Sequence, residues 1–356
     1  MKKQIFILVF VLFALGITTS YGQALAPRAI TGLTSDALHP IAGQSYTYSI
    51  TVPTPATGTK AYTWFVTQEP HFIAGGVLTP TRETAGTGPL VQSTGVGYND
   101  ETTGTNSLSI VWKNFTYDPT KPVFVVIQVK ATDGCATKNM KAYKIAPVNA
   151  FTLDITNLDV DGTTPTSAGA ITGTYGDSFS KCIHDIVDAA FDATGTDGVV
   201  YNYGKDYMFF EVVAANFNTS WKPTFKISGI DANETVTVEW AKEKAFTTVH
   251  PVTLTAGIWS SADVYTTAAA GGLVGSTGES IYVRITLDHT NKYQGLNPET
   301  VILAVDGTTS LDSATPVGDV AVADGKEDGY TNDIATQVLK PRPDIQAVAP
   351  ALLPGK

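Results

Sequence analysis

Pro122 to Ala131 reads PVFVVIQVKA. Val123, Val125, Ile127 and Val129 fall on alternate positions, which in an extended chain puts them on one face. β-branched side chains crowd a helix and fit the pleated surface of a sheet. The run is therefore a strand with one face turned to a core. Its partner follows directly: Thr132-Asp133-Gly134-Cys135 carries the Asp-Gly of a tight turn, and Lys141 to Ile145 is the returning strand of a hairpin.

The same signature recurs on both sides of that hairpin. Upstream, Gly43 to Val52 reads GQSYTYSITV, with Tyr46, Tyr48, Ile50 and Val52 on one face, and Ala61 to Val66 (AYTWFV) and Ser107 to Trp112 (SLSIVW) follow. The Gly- and Thr-rich stretch from Glu69 to Thr105 reads as one or two extended loops. Downstream, strands are predicted at Val199–Tyr203, Tyr207–Ala214, Thr224–Ser228, Thr235–Trp240, Val252–Thr255, Ser280–Asp288 and Thr300–Val305, the last two as a hairpin across Asn291 to Asn297. Ile183, Ile186, Val187, Ala190 and Phe191 fit one face of a helix capped by Ser180 and stopped by Gly195, and fit a strand equally well.

Short strands at this spacing predict an all-β chain of tandem immunoglobulin-like β-sandwiches with an extended C-terminal tail. The predicted boundaries are 25–148 for the first sandwich, 149–180 for a connector with one short strand, Phe151 to Ile155 (FTLDI), 181–308 for the second sandwich and 309–356 for the tail. The tail is acidic from Asp312 to Asp333, and then rich in proline at Pro341, Pro343, Pro350 and Pro354. A faint internal similarity relates the two sandwiches. Gly43, Tyr46, Tyr48 and Val52 align with Gly204, Tyr207, Phe209 and Val213, and Val123, Val125, Ile127 and Val129 with Ile281, Val283, Ile285 and Leu287. That pattern predicts one duplicated sandwich.

Residues 1–22 read as a signal peptide. Lys2 and Lys3 precede an apolar run from Ile5 to Ile17, too short for a helix across a bilayer core of about 30 Å. Ser20-Tyr21-Gly22 then supplies the small residues of a cleavage site before Gln23. The expected mature chain is exported and carries no membrane span. The residues do not choose among periplasm, cell surface and medium. Loss of Lys2 and Lys3 moves the net charge from −10 to −12, which argues against a nucleic-acid partner because phosphates need a basic face. In an oxidising compartment Cys135 and Cys182 are expected to pair, closing a loop of about 48 residues worth ~4 kcal/mol in the chain-entropy model.

The first sandwich resembles the PKD-like and Ig-like domains of secreted Bacteroidota proteins. The resemblance rests on Tyr62-Thr63-Trp64, the run Val123 to Val129, and Asp133-Gly134-Cys135 after it; it covers roughly 27–148 and, more loosely, 183–306. Trp64 is followed by Phe65-Val66-Thr67 where PKD domains usually carry a Gly-Asp-Gly-type turn. The resemblance implies non-catalytic spacers, adhesion modules or carbohydrate-binding accessories.

Chemistry-bearing motifs are sparse. His39, His71, His184, His250 and His289 show no metal-ligand spacing and read as surface or strand-end residues. Gly275-Ser276-Thr277-Gly278 departs from a nucleophile elbow, and no glycine cluster leads into Gly-Lys-Ser/Thr. The acidic tail is the calcium candidate. Asp319, Asp324, Glu327 and Asp328, with Asp333, gather around Gly325 and Gly329, and calcium takes several oxygen ligands from such loops. Trp221 and Trp259 sit in predicted loops, where flat rings would stack on sugars. Asp312-Ser313-Ala314 matches the short acceptor pattern of Bacteroidota O-glycosylation, which makes Ser313 the modified residue. The reading is a non-enzymatic secreted or cell-surface structural or adhesion protein, with other copies of itself, other surface proteins or glycans as partners. The alternative is a carbohydrate-binding accessory module.

Overall fold

A computed structural model describes residues 35–53, 59–113, 120–131, 137–161, 164–168, 177–192, 199–269, 272–309, 316–320 and 327–345. The fold is all-β. The predicted signal peptide lies outside the described residues.

The first body contains β1 (Ser45–Ser49), β2 (Lys60–Thr67), β3 (Ile73–Ala74), β4 (Val77–Leu78), β5 (Val91–Thr94), β6 (Glu101–Thr103), β7 (Ser107–Trp112), β8 (Val123–Ala131) and β9 (Lys138–Ile145). A three-stranded sheet, β1-β7-β5, faces a four-stranded sheet, β6-β2-β8-β9. The expected hairpin is β8 with β9, in register from Val123↔Ile145 to Lys130↔Lys138. Val123, Val125 and Ile127 point inward onto Trp64, Trp112, Tyr48 and Leu108. Each buried indole finds an acceptor, Trp64 Nε1 at the Thr105 carbonyl (2.9 Å) and Trp112 Nε1 at the Tyr48 hydroxyl (3.1 Å). The stretch read as loops carries four short strands, β3 to β6, two of which extend the sheets. The body closes where Val148 bridges to Ile41.

The second body contains β10 (Thr152–Asp161), β11 (Thr164–Ala168), β12 (Asp177–Cys182), β13 (Asp188–Phe191), β14 (Val199–Asn202), β15 (Lys205–Ala215), β16 (Ser220–Ser228) and β17 (Thr235–Ala241). It continues through β18 (Val249–Thr255), β19 (Ile258–Ser261), β20 (Tyr265–Thr266), β21 (Glu279–Asp288), β22 (Glu299–Thr309), β23 (Val317–Gly318) and β24 (Ile334–Lys340). Hydrogen bonds run along β11-β10-β15-β21-β17-β18-β19-β16-β22-β24-β12. The path folds over, so that β10 packs against β22, β24 and β12. Phe210, Val212, Trp240, Val283 and Ile285 of one layer meet Trp221, Phe225, Leu303, Val305 and Leu339 of the other.

Several expectations give way here. The segment read as a connector supplies β10, β11 and β12. Phe151, Leu153 and Ile155 alternate inward, so β10 pairs with β15 from Thr152↔Ala215 to Leu158↔Phe209. The segment expected as an extended tail supplies β23 and β24, and in β24 Ala335, Gln337 and Leu339 alternate into the core; β24 pairs antiparallel to β22 and parallel to β12. β21 and β22 form no hairpin: β21 lies between β15 and β17, and β22 between β16 and β24. The duplication also fails on topology. β1 and β8 belong to different sheets of the first body, whereas their supposed counterparts, β15 and β21, are hydrogen-bonded neighbours. Residues 183–187 are non-helical and lead into β13, which pairs only with β14 among the described residues.

Candidate functional site

β22 runs through the middle of its layer, and buried polar groups gather at each of its ends. At the C-terminal end, Asp306 and Gly307 meet the segment around β23. Gly307 N–H donates to Asp319 Oδ1 (3.1 Å), and Asp319 N–H donates back to the Gly307 carbonyl (3.2 Å). A side chain at 307 would stand 3.0 Å from both Leu153 Cδ1 and Trp221 Cε3, so glycine spares these core side chains a shift of a few tenths of an ångström. Val320 N–H donates to the Phe151 carbonyl (2.8 Å), which pins the far side of Asp319 to the entry of β10. The Asp333 carbonyl accepts from Val305 N–H (2.9 Å) and so sets Asp333 at the mouth of β24. Asn332 Nδ2 orients Asp328 through Oδ2 (2.8 Å).

These constraints bring one carboxylate oxygen from each of Asp319, Asp328 and Asp333 within 4.8 Å of the others. Asp319 is fully buried and Asp333 is 5% exposed. Asp319 Oδ2 and Asp328 Oδ1 are buried and have no hydrogen-bond donor among the described residues. Burial first, and then the carboxyl groups of Asp306, Asp333 and Asp328, push Asp319 up to about 10. Burial likewise raises Asp328. Facing carboxylates are acceptors only, so the arrangement calls for a proton or a cation between them. Tyr330 borders the cluster, its hydroxyl donating to Thr224 Oγ1 (2.8 Å) and Lys226 Nζ lying 4.4 Å over its ring.

At the N-terminal end of β22 the groups are different. His289, directly after β21, is fully buried between Asp206 of β15 and Glu234 before β17. Its Nε2 lies 2.8 Å from Asp206 Oδ2 and its Nδ1 2.6 Å from Glu234 Oε1. Burial opposes the imidazolium, but the two carboxylate hydrogen bonds outweigh it and raise His289 to about 9. Asp206 also accepts from His184 N–H (2.8 Å) and pairs with Lys181 at 3.4 Å. Burial, followed by the hydrogen bond to Glu234, lifts Glu299 to about 8. Both ring nitrogens therefore donate at neutral pH, and the cluster ties together β15, β17, β21 and β22. The surface reading holds for the partly exposed histidines and fails for His289, whose position continues the inward parity of Ile281, Val283, Ile285 and Leu287.

The sequence-predicted sites fare unevenly. Of the calcium candidates, Asp319 and Asp328 come together with Asp333. Glu327 lies against Gly318 instead, and Asp324 is outside the described residues. Asp306, which no loop motif flags, joins them from inside β22. Trp221 is not a loop aromatic: β16 begins at Ser220, and the ring is 1% exposed between Phe151 and Tyr265. Trp259 stands in β19, half-buried against the same core. The buried Trp221 ring therefore offers no sugar platform. Cys182 closes β12 as a free, exposed thiol, opposite Lys340 in the parallel register. Cys135, its expected partner, lies outside the described residues. Ser313 also falls outside them.

No family model matches the chain, and no curated protein does. Matches among solved structures are distant. The BspA chain BspA_C_mut shares 11% identity at a TM-score of 0.23, over 60% of this chain and 56% of its own length. CfaE, the adhesive subunit of CFA/I fimbria of enterotoxigenic Escherichia coli, shares 9% at a TM-score of 0.27, over 87% and 82%. The collagen adhesin CNA from S. aureus shares 8% at a TM-score of 0.21, over 79% and 81%. The chain is thus similar, loosely, to other β-rich chains, and at this distance the likeness carries no argument about function.

Proposed function

We propose that the chain is an exported, non-enzymatic structural or adhesion protein of the cell surface, which associates with further copies of itself. The observation that carries this reading is the β13–β14 hairpin. It pairs with no other strand among the described residues and exposes Phe191, Val199 and Tyr201, with Phe191 81% exposed, and Ile186 and Val187 are exposed on the segment that leads into it. Unpaired edges beside apolar side chains are a template for strand addition by another chain.

The hairpin is also held ready. Arg342 donates through its guanidinium to the His184, Gln294 and Tyr203 carbonyls and lies 5.1 Å over the Tyr203 ring, which stacks on Tyr201. Gly295, at φ +66°, leaves room for Ile183 and accepts from Arg342 N–H (2.8 Å). An element fixed at its base loses little further freedom on pairing. Sedimentation and electron microscopy of the purified protein, with a Val187→Ser/Phe191→Ser variant, test the reading. Concentration-dependent assembly that the double variant loses supports it. A strict monomer at high concentration, with no association with cells, contradicts it.

A further inference from the structure

We propose that Asp319, Asp328 and Asp333, with Asp306 beside them, form a calcium site that locks the C-terminal end of β22 to the entry of β24. The proposal goes beyond the assembly reading and does not depend on it. A cluster of acids alone would be a solvated patch. Here the central member is fully buried, and Asp319 Oδ2 and Asp328 Oδ1, on side chains whose oxygens converge within 4.8 Å, are buried without a donor among the described residues. A buried oxygen in that position needs a positive partner.

The donor set selects the ion. Every donor is a carboxylate oxygen, which suits a hard cation and gives nothing to the nitrogen- and sulfur-seeking zinc. Two oxygens across one calcium stand at most about 4.6–5.2 Å apart, twice its usual oxygen distance, whereas two across magnesium stand about 4.0–4.2 Å apart. The Asp319, Asp328 and Asp333 oxygens lie within 4.8 Å of one another, inside the span that one calcium bridges. The three reach the site from separate places: Asp319 is held by Gly307 of β22, Asp328 by Asn332, and Asp333 by Val305 of β22. One ion therefore joins β22, the segment after β23 and the start of β24.

The test is titration of the purified, chelator-treated protein with calcium by calorimetry, and with terbium by luminescence sensitised through Tyr330. One ion per chain is expected. Asp319→Asn and Asp328→Asn should each weaken binding at least tenfold, and magnesium should bind at least tenfold more weakly than calcium. Melting temperature, read in parallel, should rise with calcium in the parent. In Asp319→Asn it should be higher than in the calcium-free parent and indifferent to calcium, which also shows that the variant folds. No uptake by the parent at millimolar calcium would overturn the proposal, as would parent-like binding in both variants. Equal affinity for magnesium would overturn the assignment to calcium.

Discussion

β22 carries a carboxylate network at each end, and the two are solved differently. At the Glu299 end the chain supplies its own counter-charge. His289 bridges Asp206 and Glu234, Lys181 backs Asp206, and burial beside Glu234 raises Glu299 to about 8. At the Asp306 end the groups acting most strongly on Asp319 besides burial are further carboxyls. The contrast shows that burial of acids is not one phenomenon. A network that contains its cation is a staple, whereas one without it is a socket, complete only when a cation arrives from solution.

The largest expected effect comes from breaking the complete network. His289→Ala leaves Asp206 and Glu234 buried without their bridge, and should cost about 3–5 kcal/mol in urea unfolding, the usual penalty for removing one partner of a buried ion pair. A loss below about 1 kcal/mol would show that the imidazolium is not what holds these strands. The socket should respond with the opposite sign. In calcium-free buffer the chain must take up a proton at Asp319 on folding, because burial and its neighbours raise that carboxyl to about 10; Asp319→Asn removes this cost, keeps the acceptor for Gly307 and should raise unfolding free energy at neutral pH by about 1–3 kcal/mol. With saturating calcium that advantage should vanish or reverse.

A smaller, graded effect separates the ends by pH. With calcium held saturating, His289 binds its proton in the folded chain up to about pH 9 and in the unfolded chain only to about 6.5. Its contribution is thus complete below about 6.5 and is lost as pH rises through about 9. Glu299 has the same sign, because the folded chain keeps its proton to about 8 while the unfolded chain releases it near 4.5. Asp206, held below its ordinary value, contributes above that value and loses its part only on acidification. Melting temperature should therefore decline from pH 6 to 9.5, and the decline should be shallower in His289→Gln.

The sequence told which residues face inward far better than which strands are neighbours. Alternation in Val123–Val129 and Ile281–Leu287 identifies buried faces directly, but says nothing of partners; β21 and β22 are consecutive strong strands and still lie in different layers. The sequence shows only the Phe151–Ile155 part of β10 and none of β24, because Asp154, Thr156 and Gln337 interrupt the apolar pattern while being buried themselves. Trp221 was legible, since it shares parity with Phe225 in a strand that starts at Ser220 rather than Thr224. The socket was half legible. Asp319, Asp328 and Asp333 stand out in an acidic stretch, but Asp306 belongs to a strand, and only the β22–β24 pairing brings it alongside. His289 followed the inward parity of its strand, yet its carboxylate partners come from β15 and the turn before β17.

Hydrogen exchange along β22, measured with and without calcium, tests the comparison most directly. Calcium should slow exchange at Val305–Thr309 and Asp333–Ala335 and leave Asp288–Tyr293 and Glu299–Val301 unchanged. No protection at the acidic end, or equal protection at both ends, would contradict the account.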